Sequence, residues 1–131
     1  MNLSLSRWRL EKAEQTFIEG DQLFKLGSYH GAINRYYYAA FHAARALLAL
    51  KKLDAAKHSG VISLFNREFV KTGALNKRSS KTLSMIFTLR SEADYDDFRN
   101  FSLDEVKEAR LAVRSFIDEI IAFIRTTNLK N

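Results

Sequence analysis

Apolar residues recur along this chain at intervals of three and four, the period of an α-helix, in five successive blocks. In the first, Leu10, Ala13, Phe17, Gly20 and Phe24 keep that spacing and predict a helix from about Leu5 to Leu26. Ser4 or Ser6 can cap its start, and Gly27 is a natural stop, because helices commonly end on a residue with positive φ. The second block runs from about Tyr29 to Leu50. It is apolar around most of its circumference, through Ile33, Tyr36, Tyr37, Ala40, Phe41, Ala44, Leu47 and Leu48. Such a helix belongs at the centre of a bundle, and its alanines let neighbouring backbones come close.

Lys51 to His58 reads as a connection. Ser59 can then cap a short helix carrying Val61, Ile62, Leu64, Phe65, Phe69 and Val70, which ends at Gly73. Ser79 or Ser80 opens a fourth helix whose inward residues are Leu83, Ile86 and Phe87. The fifth has the clearest start. Ser102 followed by Glu105 makes a capping box, and Asp104 and Glu105 suit the positive end of the helix dipole. Its inward stripe is Val106, Ala109, Val113, Phe116, Ile117, Ile120, Phe123 and Ile124, with Arg125 and Lys130 near the negative end. No internal repeat, linker or low-complexity stretch interrupts the pattern. It predicts one domain over residues 1–131, all-α, an up-and-down helical bundle of about five helices.

Composition sharpens this reading. The 131 residues include no Pro and only 5 Gly, too few for the frequent tight turns of a sheet protein. The length suits a single core. Absence of Cys removes disulfides, thiolate metal ligands and cysteine nucleophiles, and fits a reducing, cytoplasmic setting. No apolar run approaches the ~20 residues that span a bilayer. Met1 to Leu10 holds Arg7 and Arg9 without a following apolar block, so neither a secretory signal nor membrane contact is expected. Lys and Arg number 21 against 15 Asp and Glu; the net +6 permits an anionic partner without specifying one. A Gly-rich phosphate loop, H-E-x-x-H and G-x-S-x-G are all missing.

Chemistry concentrates on the second helix. Advancing roughly 100° per residue places Asn34, Arg35, Tyr38, His42 and Arg45 within about one quarter of its circumference. Guanidiniums grip phosphate in a planar, bidentate way, and a phenol ring offers a stacking face for a purine. The bland alternative is the wet side of an otherwise buried helix. Against it, no Lys or Glu occurs between Asn34 and Leu50, where an ordinary wet face would carry them. This strip is expected to meet a partner rather than bulk water. His30 and His58 sit at helix boundaries and read as capping or water-facing.

A second polar group closes the fourth helix. Arg90 follows Leu83 by seven residues and Phe87 by three, so it projects over the apolar face, with Asp94 four residues further on. A charge there is costly unless paired, and Arg90–Asp94 is the local pair. The segment from Ser91 to Phe98 is rich in acids, which oppose the negative end of a helix. Either the helix stops by about Ala93, or a cation compensates, with Arg35, His42 and Arg45 as candidates. The two strips are expected to meet, within one chain or across a dimer. Asp94, Asp96 and Asp97 offer oxygen ligands for Mg²⁺, but neighbouring carboxylates without a flanking His are a weak pattern. No metal and no cofactor is expected.

Three segments in order resemble the HEPN domain (higher eukaryotes and prokaryotes nucleotide-binding). They are Arg35 to Arg45, with its Tyr36-Tyr37-Tyr38 run and His42; His58-Ser59-Gly60-Val61 at the third helix; and Arg90-Ser91-Glu92-Ala93-Asp94-Tyr95. The match spans about Leu10 to Ile124. The resemblance implies a helical bundle that pairs into a homodimer, often encoded beside a minimal nucleotidyltransferase in a toxin–antitoxin-like module. For some members it implies metal-independent RNA cleavage by an Arg-x(4–6)-His motif at a dimer cleft. Here the sequence departs, because positions 95, 96 and 97 after Arg90 are Tyr95, Asp96 and Asp97. Arg35 and His42 have six residues between them, but they lie on helix two, where the motif is not carried over. Tyr95 titrates too high for a base at neutral pH, and pairing with Arg90 makes Asp94 less basic.

The expected function is a helical homodimer that binds a nucleotide, RNA or a nucleotidyltransferase partner. Its ligand-binding residues are Arg35, Tyr38, His42 and Arg45; Arg90, Asp94, Tyr95 and His42 are the candidates for catalysis. By family analogy Tyr95 would accept a nucleotidyl group from such a partner. Two alternatives stay open. One is a divergent ribonuclease in which Arg90 stabilises phosphate and His42 acts as acid or base. The other is a non-catalytic assembly partner whose polar strip fixes dimer register.

Overall fold

The computed structural model of the chain describes residues 3–129, with side chains described for 3–127; Met1 and Lys130 lie outside them. The described residues form five helices: α1 (Leu3–Lys25), α2 (Tyr29–Leu50), α3 (His58–Phe65), α4 (Lys77–Tyr95) and α5 (Leu103–Leu129). α3 widens without a break into a π-helical turn over Asn66–Val70, where Lys71 N–H reaches back to the Asn66 carbonyl at 2.8 Å. The arrangement is an all-α, up-and-down bundle, as the periodicity predicts.

α2 is the central helix. Ile33, Tyr36, Tyr37, Ala40, Phe41, Ala44, Leu47 and Leu48 are all buried, and on α2 only the first turn and the strip of Asn34, Arg35, Tyr38, His42 and Arg45 reach solvent. Burying large rings such as those of Tyr36 and Tyr37 contributes on the order of 2 kcal/mol each before entropy is counted. Small residues set how near the neighbours come. A Cβ on Gly20 of α1 would lie 2.7 Å from Cε1 of Tyr36, so this glycine lets the tyrosine ring pass against the α1 backbone.

Helix ends follow local chemistry. Gly27 adopts φ 76°, and Ser28 N–H bonds the Leu23 carbonyl at 2.9 Å while Gly27 N–H bonds Phe24 at 2.9 Å, the paired closure that ends α1. The capping box of α5 is formed: Glu105 N–H donates to Ser102 Oγ and Ser102 N–H to Glu105 Oε1, both at 3.1 Å.

Three expected caps are corrected. Ser4 and Ser6 lie inside α1, with Ser6 fully buried. α3 begins at His58 rather than after Ser59, and Lys57 precedes it without a side-chain cap. α4 begins two residues before Ser79, because Asn76 Oδ1 accepts the Arg78 N–H at 2.9 Å; an amide oxygen already caps the helix and leaves Ser79 to be buried.

Candidate functional site

The polar strip of α2 survives folding as a ridge. Arg35, Tyr38, His42 and Arg45 are all partly exposed on a helix otherwise buried. Arg35 donates twice to Asn34 Oδ1, at 3.1 and 2.7 Å, and faces Glu19 of α1 at 3.6 Å. Its guanidinium carbon stands 5.3 Å from the Tyr38 ring centroid. Arg45 pairs with Asp54 at 2.8 Å, in the α2–α3 connection. Between them lies His42. Burial and then the charges of Lys12, Arg45, Arg35 and Arg9 push its imidazole down to about 4. At neutral pH this ring is therefore uncharged, and it has no proton to spare as a general acid.

α4 meets the strip within the same chain. Arg90 Nη2 donates to the Tyr38 hydroxyl at 3.2 Å, and its guanidinium carbon lies 5.3 Å and 5.5 Å from the ring centroids of Tyr37 and Tyr38. A cation over electron-rich faces is held there electrostatically. Asp94 holds it from the other side, 2.8 Å from Nε. The compensation for the acidic helix end differs from expectation. α4 runs on to Tyr95, and its acids are paired by Arg90 and by Arg99 rather than by Arg35, His42 or Arg45. Arg99 folds back from the following loop to Glu92 at 3.3 Å and to Glu105 at 2.5 Å, so one side chain serves both ends of that loop. Arg35 and Arg45 are already taken by Glu19 and Asp54.

Tyr95 is not drawn into this cluster. Its side chain is 83% exposed and has no hydrogen bond or ring contact among the described residues. Phe98 nearby is 92% exposed.

Sequence reasoning passed over two parts of the site. His58 is not a cap: its Nδ1 lies 2.8 Å from the Tyr37 hydroxyl, and its ring rests 4.3 Å from Phe41 and 5.8 Å from Tyr38. Tyr37, read only as core, thus links α3 to Arg90. The second part is Arg9, which is buried, donates to the Arg45 carbonyl at 3.1 Å and shares Asp54 with Arg45. The one available signal was Arg9 falling four residues before Ala13 on the inward side of α1. Among the described residues no cluster of three His, Asp or Glu side chains converges as a metal cage would. No helix there is long and apolar enough to cross a membrane.

The arrangement can hold an anion against two guanidiniums and offer aromatic faces to a base. Comparison with known proteins bears on the family, not on this face. The chain is 40% identical over 113 residues to a UPF0332 protein of Thermotoga maritima, covering 86% of this chain and 85% of that one. It is 33% identical over 111 residues to a Methanocaldococcus jannaschii protein named "Putative toxin MJ0605", with 85% and 82% covered. A UPF0332 protein of Archaeoglobus fulgidus is 32% identical over 123 residues, with 94% and 93% covered. The family model described as the HEPN domain matches residues 6–123, nearly the whole bundle, and the chain belongs to that family.

Proposed function

We propose that this chain is a toxin-like HEPN module that works by binding. As a homodimer it holds the phosphate of a nucleotide or RNA on the face formed by Arg35, Tyr38, His42, Arg45 and Arg90, and it pairs with a nucleotidyltransferase. The observation that carries this reading is the convergence of Arg35 and Arg90 on the ring of Tyr38. Two guanidiniums beside an aromatic face match the two halves of a nucleotide, its anion and its base. The toxin name of the Methanocaldococcus relative supports the module. Exposure of Tyr95 supports its role as the phenol that a nucleotidyltransferase would modify.

The loss of His42 as a proton donor argues for binding over cleavage. Metal-free RNA cleavage needs a proton acceptor and a proton donor. A neutral His42 can accept a proton but has none to donate at neutral pH, so the donor is missing. The test is a titration of fluorescently labelled hexauridylate and of 5′-AMP into the purified protein, with a cleavage assay alongside. Binding without cleavage, weakened at least about tenfold by Arg35→Ala and by Arg90→Ala, is the expected result. Cleavage lost in both Arg90→Ala and His42→Ala would replace this reading with the ribonuclease. A stable dimer that binds neither probe would replace it with the assembly partner.

A further inference from the structure

We propose that His58 and Arg90 together hold one phosphoryl group, with Tyr37 fixing the His58 imidazole as an uncharged Nε2–H donor. This rests on the binding reading above and assigns the phosphate a seat on the α3–α4 side of Tyr38.

Tyr37 is fully buried, and its hydroxyl lies 2.8 Å from His58 Nδ1. The buried hydroxyl has no other hydrogen-bond partner among the described residues, so donation to Nδ1 is the one use for its proton, and burial, which pushes the phenol far above its ordinary range, keeps that proton on it. Nδ1 is then the acceptor, and a neutral imidazole carries its single proton on the other nitrogen. Burial, followed by the charges of Arg90 and Arg45, lowers the His58 pKa, which favours that neutral ring. Nε2 has no hydrogen-bond partner among the described residues, and it is not among the side-chain atoms sealed from solvent. Its N–H is thus open to a ligand.

Arg90 stands on the same aromatic floor. His58 rests on Phe41 and against Tyr37 and Tyr38, with ring centroids at 4.3, 5.7 and 5.8 Å, while the Arg90 guanidinium lies over Tyr37 and Tyr38. Asp94 Oδ2 lies 2.8 Å from the Nε of Arg90, which is sealed from solvent; of the terminal nitrogens Nη2 bonds the Tyr38 hydroxyl, and Nη1 has no hydrogen-bond partner among the described residues and remains for a second acceptor. Two donors resting on the same pair of tyrosine rings, one charged and one neutral, suit a group with several acceptor oxygens and a negative charge. A phosphoryl group supplies both. The same hydrogen bond rules out a base: with Nδ1 taken by Tyr37 and Nε2 already protonated, His58 has no lone pair free for a 2′-hydroxyl proton. An imidazole from α3 therefore stands beside Arg90 where the chain lacks the late His, as a ligand donor and not as a proton acceptor.

The full-length protein is titrated with inorganic phosphate, 5′-AMP and hexauridylate, and His58 is followed by long-range proton–nitrogen correlation. The expected spectrum shows the Nε2–H tautomer before ligand and a saturable shift of Nε2 on addition. His58→Asn can still reach Tyr37 but loses the outer donor, and binds about tenfold or more weakly. His58→Gln, whose longer amide carries an N–H outward, stays within about threefold of wild type. Dependence of this kind for 5′-AMP or for hexauridylate supports the assignment and tells a monoester ligand from a diester. An Nδ1–H tautomer overturns it. So does a His58→Asn protein that folds and binds like wild type; if Arg35→Ala still weakens binding there, the binding reading stands and only the role of His58 falls. Failure of all three probes to bind wild type overturns both.

Discussion

Lowering the pH should destabilise this protein through His42, and the size of the effect follows from its surroundings. Burial of the ring on α2, and after it the charges of Lys12 and Arg9 from α1 and of Arg35 and Arg45 from its own helix, hold its pKa at about 4 against an ordinary 6.5. In the unfolded chain the ring takes up a proton as the pH falls through 6.5; in the folded chain it refuses that proton until about 4. The contribution is therefore complete above the unfolded value and is lost progressively as the pH drops toward the folded one. Between pH 7.5 and pH 5 the linkage amounts to about 2 kcal/mol. Carboxylates titrate in the same window, so the informative quantity is a difference. Urea unfolding of wild type and His42→Gln, followed by circular dichroism at both pH values, should show wild type losing about 2 kcal/mol more than the variant. Equal acid slopes, or a His42 titration midpoint near the ordinary value in the folded protein, would refute the reasoning. A bound phosphate on the ridge would offset the four cations and raise the His42 midpoint, so the same titration with ligand reports on the proposed face.

Three further outcomes follow from the packing. Tyr36→Phe removes a 2.5 Å hydrogen bond to Asp21 that Arg110 also holds at 2.7 and 3.0 Å, and should cost roughly 1.5–3 kcal/mol in urea unfolding. Gly20→Ala forces a Cβ to 2.7 Å from the Tyr36 ring and 3.3 Å from the Arg35 Cβ; overpacking of about 1–3 kcal/mol should exceed the helix gain of at most about 1, and the melting temperature should fall. Asp54→Ala strips the buried Arg9 of its carboxylate and leaves it the Arg45 carbonyl alone, for a loss on the order of 1–3 kcal/mol that a thermal melt would register.

The helices and their inward faces were legible because burial repeats with the helical period. The stripe of α5 and nearly the whole circumference of α2 can be read off residue by residue. Caps were legible only where both partners sit within a few residues. Ser102 and Glu105 specify each other, whereas Ser79 loses to Asn76, whose amide reaches the free N–H groups first. At the site, Arg35, Tyr38, His42 and Arg45 were visible as a strip, but their partners were not. Glu19 and Asp54 meet Arg35 and Arg45 from α1 and from the α2–α3 connection, Arg99 reaches Glu92 from the loop after α4, and helical spacing carries no information about such meetings. Tyr37 shows the same limit from the other side. Its period marks it as core, and only the placement of α3 turns its hydroxyl toward His58.

Exposure of the carboxylates decides how the ridge would open to an anion. Arg35 meets Glu19 at 3.6 Å with the glutamate 56% exposed, and Arg45 meets Asp54 with the aspartate 45% exposed. Pairs this wet contribute about 0–1 kcal/mol, so an arriving phosphate can draw either arginine off its carboxylate at little cost, while Asp54 keeps its bond to the buried Arg9. Arg90 is different: its side chain is only 19% exposed, it bears on two tyrosine rings, and Asp94 turns with it on one helix. An anion there adds to a fixed guanidinium instead of freeing one. On the proposed face Arg35 and Arg45 would be the exchangeable contacts and Arg90 the fixed one. Raising salt should weaken binding mainly through the first two, so Arg35→Ala should flatten the salt dependence by about one counterion, whereas Asp94→Asn should leave that slope unchanged.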